Sequence, residues 1–475
     1  MFPKQEGKKM KKRLVVGLMI STMVASMFAG CGDSKESSSK GGTESAKTEE
    51  SAGDGSVYLL NFKPESDGAW QELASTYKDQ TGVDVTVLTA ADGTYDQTLT
   101  SEMAKEKAPT IYTIGSAQDA TTWSDYLYDL KDSALYDHLI DKSLSIEHDG
   151  KVAAVANCYE CYGLIYNKTI LEDYCSKYEG AVIKSVDEIN NFETLKKVAE
   201  DINNNVDKIN EALGTELTEA FASAGLDDGS SWRFSGHLAG LPLYYEFKDD
   251  GCDLVAGEAE IDGTYLDQFK NVWDLYINTS AADKSTLESG SYNAEQELGM
   301  GEAVFYQNGD WEYSAFSNAD NGYLVTTDDL AMMPIYMGID DENEGLAVGT
   351  ENYWAVNSKA SQEDIDATLA FLEWVITSDE GRNAITNEMG LTTPFDTFTG
   401  DYESKNKFAA AANEYVKAGK TSVAWSFNAT PNVDTWRSDV VAPLTAYTHG
   451  DGSWDDVKTA FVDGWAKQWK LANEE

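Results

Sequence analysis

The chain is most tightly constrained by the alternation of apolar runs near the start of its folded body. Val57-Tyr58-Leu59-Leu60-Asn61-Phe62 reads as a buried strand. Asp67-Gly68 leads into a helical stripe of Trp70, Leu73 and Tyr77, and Gly82 stops it. Val83, Val85 and Val87 alternate with Asp84 and Thr86 as a second strand. A helix through Leu99 and Met103 ends at Pro109, and Ile111 to Ile114 makes a third strand. Strand–helix–strand at this spacing requires crossover connections and predicts an α/β fold with a largely parallel sheet. The helical pattern returns late in the chain. Ser361 caps a stripe of Ile365, Leu369, Leu372 and Ile376 with Asp364 at the third position. Trp454, Val457, Phe461 and Trp465 mark the last helix and read as core, as do Trp70 and Trp374. At 475 residues the chain is long enough for two or three folded units.

The first thirty residues read as an address. Lys8, Lys9, Lys11, Lys12 and Arg13 precede an apolar stretch from Leu14 to Phe28, then Ala29-Gly30-Cys31. This is the pattern of a secretory signal. Cys31 after Ala-Gly resembles a bacterial lipobox, with Phe28 where leucine is usual, and predicts lipidation at Cys31. The apolar run is short for a membrane span, which needs ~20 residues. Residues 31–55 are rich in Ser, Gly, Glu and Lys and predict a flexible tether.

Charge removes several function classes. With 82 Asp+Glu against 36 Lys+Arg, the net charge is -46, which disfavours nucleic acid and anionic lipid surfaces as partners. Twelve Trp and 25 Tyr against 4 His argue for contact with a ligand through rings rather than for a histidine-rich metal site. No metal or cofactor is expected. Cys158 and Cys161 have CxxC spacing without the second pair a zinc site wants; with Cys175 and Cys252 they are either structural thiols or disulfide partners. Asp340 to Glu351 has the length of a calcium loop, but positions 3 and 5 are Glu342 and Glu344, and an acidic solvated loop is the simpler reading. Gly419-Lys420-Thr421 lacks the first glycine of a phosphate loop, because Glu414 stands there. HExxH and GxSxG are absent. Paired carboxylates are unavoidable in so acidic a chain, so composition leaves a glycosidase open as the enzymatic alternative.

Five blocks in order carry a resemblance. They are Tyr77 to Val87, Ala108-Pro109-Thr110-Ile111-Tyr112 (Thr110 where Asp is usual), Gly163 to Lys168, Gly301 to Trp311, and Phe371 to Gly381. Together they span nearly the whole body, and on them the chain resembles the family 1 extracellular solute-binding proteins of sugar-uptake ABC transporters, the group of the maltose-binding protein. The resemblance implies two α/β lobes, each a mainly parallel sheet flanked by helices. The lobes would be joined by a multi-strand hinge near 157–162, 348–353 and 421–427. Lobe 1 would hold 56–157 plus about 350–420, and lobe 2 about 162–347 plus 425–475. It further implies a sugar, at best an oligosaccharide, held between the lobes of a lipid-anchored, extracellular, monomeric, non-enzymatic protein that delivers it to permease subunits. A peptide or polyamine cargo, or a surface sensor using the same fold, stays open.

Sugars present hydroxyl groups and C–H faces, so a site for them needs flat rings and planar polar groups. Trp311 matches the family's cleft tryptophan and reads either as a stacking surface or as lobe core. Asp310 beside it bonds a hydroxyl or shapes the turn. Glu160 falls where maltose-binding members carry a hinge glutamate, with Tyr159 and Tyr162 around it. Glu351, Asn352 and Tyr353 enter a strand at the second crossing, with 351 and 353 on one side. Ser116 closes the strand ending at Ile114, where open α/β sheets bind ligands. Tyr95, Tyr244, Tyr245, Trp425 and Trp436 are further aromatic candidates.

Overall fold

In the computed structural model the described residues are 55–91, 93–142, 144–252, 254, 257–280, 284–290, 293–350 and 353–473. Cys31, Glu351 and Asn352 lie outside them. The strands are β1 (Ser56–Asn61), β2 (Asp84–Thr89), β3 (Ile111–Ile114), β4 (Ser145–His148), β5 (Lys151–Ala156), β6 (Glu160–Asn167), β7 (Phe305–Gly309), β8 (Leu330–Met333), β9 (Glu344–Gly349), β10 (Tyr353–Val356) and β11 (Thr421–Ala424). They form two sheets, ordered β2-β1-β3-β10-β5-β4 and β11-β9-β6-β7, with β8 also on β6. Helices flank both, and the fold is the two-lobe α/β arrangement.

The opening of the first sheet follows the sequence reading. The helix Asp67–Thr81 ends at Gly82, whose left-handed φ of 81° needs no Cβ, and Gly82 N donates to Lys78 O at 2.8 Å. β1 then runs parallel to β2 and β3. Ser361 caps the helix Gln362–Thr377, its Oγ accepting from Asp364 N at 3.1 Å. That helix packs Phe371 against Trp70 and Tyr77 over the sheet.

The sheets are mixed rather than mainly parallel. β10 is antiparallel to β3 and β5, β4 to β5, and β6 to β7, β8 and β9. The wiring places β10: the chain leaves the first sheet after β5, passes through the second sheet, and re-enters the first as β10 in the opposite sense. Two passages between the sheets fall at 157–159, before β6, and after Gly349, before β10. Near 421–427 there is no third passage. Thr421–Ala424 is β11, already hydrogen-bonded parallel to β9 in the second sheet, and the helix Lys407–Lys417 packs on that sheet too. The return runs between Phe395, in the core of the first sheet, and Phe408, in a core of the second. This link is irregular and carries no periodic signal, whereas β11 alternates as any strand does.

The second lobe is built on rings. Phe221, Phe247, Phe269, Trp273, Trp436 and Trp465 are all fully buried there. Trp436 is core, its Nε1 donating to Phe461 O at 3.0 Å. In the stretch from Asp340, whose last residue Glu351 lies outside the described residues, the acidic side chains of Asp340 and Glu344 have protein partners. Residues from Glu344 onward are β9; Glu344 is ion-paired with Lys248 and accepts from Tyr244 at 3.1 Å, and Asp340 takes Asn343 Nδ2 at 2.6 Å. Among the described residues Cys158, Cys161, Cys175 and Cys252 form no disulfide; Cys161 packs its sulfur 3.6 Å from Met332 Sδ. Among the described residues no helix is long and apolar enough to cross a membrane.

Candidate functional site

A cavity of about 570 Å³ opens between the two sheets. From the first come Phe62 and Lys63 after β1, Tyr95 and Asp96 opening the helix Tyr95–Met103, and Thr113 to Ser116 at the end of β3. From the second come the turn Trp232–Arg233, Asn308 in β7, Trp311 and Glu312 just after it, and Asp434 and Arg437 of the helix Val433–His449. The first set leaves its sheet at the carboxyl ends of parallel strands, where open α/β sheets present loops to ligands.

Trp311 owes its place to Gly309. The backbone turns from β7 into the short helix Asp310–Glu312, and the indole folds back over residue 309, so close that a Cβ there would lie 2.2 Å from the ring. Its ring centroid lies 5.8 Å from those of Tyr162, Trp232 and His237. His237 stacks on Tyr162 at 4.1 Å with an interplanar angle of 9°. It belongs to the π-helical turn Arg233–Leu238, an irregularity that inserts an extra residue and swings side chains toward a site. Burial, then the positive charges of Arg437 and Lys63, hold its imidazole well below the ordinary histidine range. The ring stands as a flat plate in the cavity wall.

Under this plate lies a buried charge cluster. Lys63 Nζ donates to Glu160 Oε1 at 2.6 Å and sits 5.4 Å from the Trp311 ring centroid. Glu160 is 2% exposed, and its Oε2 has no hydrogen-bond partner among the described residues. Asp310 accepts from Cys161 N at 3.1 Å; burial, then the charge of Glu160, raises its carboxyl well above the ordinary range.

The walls are acidic. Asp96 is pushed up to about 7 by its enclosed position, then by Asp434 and Asp119. The residue is nonetheless exposed at the cleft. Glu312 is pushed up to about 8, by burial first and by Glu295 second. Asn308 Nδ2 binds Glu312 Oε1 at 2.8 Å. Thr113, Thr430 and Glu312 line the cavity, and Thr113 Oγ1, Thr430 Oγ1 and Glu312 Oε2 are buried behind that lining with no hydrogen-bond partner among the described residues. Buried polar groups cost free energy until bonded, so these oxygens leave the wall behind the cavity polar and under-satisfied. The arrangement offers flat rings, a bonded amide and both donors and acceptors.

The sequence candidates distribute unevenly. Trp311, Tyr95 and Ser116 line the cavity. Tyr95 also accepts from Thr113 N at 2.7 Å, and Ser116 caps the helix Ala117–Thr122. Glu160, Asp310 and Tyr162 lie behind the lining; Tyr162 OH accepts from Gln307 at 3.2 Å. Tyr159, 37% exposed, Tyr353 and the buried Trp425 are outside the lining. Trp425 packs on Gly349. Tyr245 is core, beside Tyr244 at 5.1 Å. Lys63, Asp96, Trp123, Trp232, Arg233, His237, Asn308, Glu312, Asp434 and Arg437 escaped the sequence reading. A signal existed for one group: Ser230-Ser231-Trp232-Arg233 sets a ring and a cation in a Gly/Ser-rich stretch, where core packing has little claim on them.

Residues 72–413 match the family model described as bacterial extracellular solute-binding protein. No curated protein matches the chain. Among solved structures, a chitin oligosaccharide binding protein superposes with a TM-score of 0.65 at 16% identity, covering 89% of this chain and 100% of that one. The GacH receptor of Streptomyces glaucescens, solved unliganded and with acarbose, gives 0.60 at 16% identity over 88% of this chain and 98% of that one. A sugar transporter protein of Bacillus licheniformis, in complex with stachyose, gives 0.62 at 15% identity over 87% and 100%. At such identities these likenesses speak for the fold alone, and the family match covers well over half of the sequence. The chain belongs to the bacterial extracellular solute-binding proteins.

Proposed function

We propose that this protein captures a sugar, an oligosaccharide of several units, in the cavity between its sheets and delivers it to the permease subunits of an ABC transporter. It does so outside the cell as a monomer, held to the membrane through lipidated Cys31, and breaks no bond in its cargo. The observation that carries this reading is the cleft wall. Phe62, Trp123, Trp232 and Trp311 bring rings, while Asp96, Asp434 and Arg437 bring polar atoms suited to hydroxyl groups. Rings cover the C–H faces of a sugar at low entropy cost, and carboxyl and amide groups fix its orientation. The structural relatives that were solved with acarbose and stachyose support an oligosaccharide over a single sugar. Ligand bridging both walls favours the closed state, because only there do both walls touch it.

The test is a thermal-shift panel of maltotriose, raffinose, stachyose, chitotriose and xylotriose, with a peptide mixture and spermidine as contrasts. A ligand at ~1,000-fold its Kd stabilises by about 4 kcal/mol, several degrees in the melt. A selective rise with one saccharide, lost in Trp311→Ala, supports the reading. A rise with peptide or spermidine alone overturns the sugar assignment.

A further inference from the structure

Four of the chain's 36 basic residues are arginines, and of the three in the folded body, Arg233, Arg382 and Arg437, two line the cavity. Lysine serves almost everywhere else, so arginine stands where its flat, five-donor fork has a use. Among the described residues three cations line the cavity. Lys63 pairs with Glu160 at 2.6 Å, and Arg437 pairs with Asp434. Arg382, outside the cavity, pairs with Asp379 at 2.9 Å. The guanidinium of Arg233 has neither an ion pair nor a hydrogen bond among the described residues; its backbone alone is engaged, the carbonyl accepting from Gln307 Nε2 at 2.8 Å. Rings surround it instead: its central carbon lies 5.8 Å from the Trp232 centroid, 5.9 Å from that of Phe234 and 5.8 Å from that of Tyr306. Rings hold a guanidinium in place without neutralising it.

Carboxylates are not scarce, since 82 acidic residues stand against 36 basic ones. Those that act on Arg233 are otherwise engaged. Glu312, whose carboxyl is pushed up to about 8, carries a proton at neutral pH. Asp227 accepts from Gly229 N at 3.0 Å. We infer that Arg233 is a carboxylate-binding residue of the cleft, and that the cargo is an acidic oligosaccharide bearing a uronate, whose two oxygens the guanidinium grips side by side while Trp232 covers the adjoining sugar face. A planar carboxylate matches the planar fork through two parallel hydrogen bonds. The net charge of -46 opposes an anion from a distance, but at physiological salt such fields fade within ~8 Å, and the contact itself decides. This inference rests on the sugar reading of the cleft and adds to it the charge of the cargo.

The experiment is thermal shift and titration calorimetry on the full-length chain with two matched pairs: the galacturonate trimer and its methyl ester, and xylotriose with and without a glucuronate branch. The glucosamine trimer is the cationic contrast, which would seek Asp96 on the other wall. The proteins are wild type, Arg233→Gln and Arg233→Lys. We expect the acidic member of one pair to bind wild type about 30-fold more tightly than its neutral partner, the worth of a charge-assisted hydrogen bond. Arg233→Gln should erase that preference. Arg233→Lys keeps the charge but not the fork, and should bind the acidic member about tenfold more weakly than wild type; it reads the same contact should Arg233→Gln not fold. Equal affinities within both pairs, or a rise in the melt with the glucosamine trimer alone, overturn the inference and leave the sugar reading standing. An acid preference that survives in both variants overturns it as well. No rise with any saccharide removes the sugar reading, and this inference with it.

Discussion

The six-membered ring of the Trp311 indole lies against Gly309, two residues back, with no room for even one carbon between them. The backbone at Gly309 is extended, with φ of -95°, so the glycine is there for space and not for conformation. Gly309→Ala is therefore a direct lever on the cleft floor. We expect a loss of about 1–3 kcal/mol in stability from the forced shift, and at least tenfold weaker binding of whichever saccharide stabilises the wild type. Chemical denaturation and titration calorimetry check the two effects separately.

Trp232 and Trp311 face the same cavity but differ in support, since Trp311 also carries Lys63. Removing either ring strips contact area from the solute. Trp232→Ala should cost about 2 kcal/mol of binding, the range of an interface hot spot, with little change in the melting temperature of the free protein. Equal losses in binding and in melting temperature would return Trp232 to the core.

Glu312 gives the protein a pH signature. Its carboxyl moves from an ordinary value of 4.5 up to about 8, so between those limits the folded state binds a proton that the unfolded state has released. Its contribution is present at low pH and is lost as pH rises through that window. Melting temperature should fall from pH 5 toward pH 8 more steeply in wild type than in Glu312→Gln. Carboxylates held low, such as Asp329 and Asp364, are ionised throughout the window and add no slope. Parallel curves for the two proteins would sink the assignment.

The Lys248–Glu344 pair is asymmetric: Glu344 is 4% exposed at its side chain and Lys248 40%. Lys248→Met strands a buried carboxylate and should cost about 3 kcal/mol. Tyr244→Phe removes one hydroxyl donor and should cost about 1 kcal/mol. Urea denaturation reads both, and the reverse ranking would mean that Lys248 is dispensable.

Much of the architecture was legible because it rests on local signals. Val83, Val85 and Val87 alternate, Gly82 stops a helix, and Ser361 caps one; each acts within a few residues. The mixed pairing was not legible, since nothing in Tyr353–Val356 says that it will lie antiparallel between β3 and β5. The same limit governs the cleft. Trp311 and Ser116 follow strands whose ends could be read. Lys63, Asp434 and Arg437 meet there only because separate elements fold toward one space, and their local sequence is that of ordinary surface. Tyr245 and Trp425 misled for the converse reason: ring chemistry looks the same whether it faces a solute or a core.

The place of β10 in the middle of the first sheet has a consequence for how the molecule is made. A chain synthesised from its N-terminus completes β3 and β5 long before Tyr353–Val356 exists. Until then both strands carry bare edges, the kind that pair with other chains. Contacts so distant in sequence also form slowly. The first lobe is encoded first and finished late, so its maturation is gated by the length of chain already released, and a product truncated before residue 353 is a sheet with a missing centre.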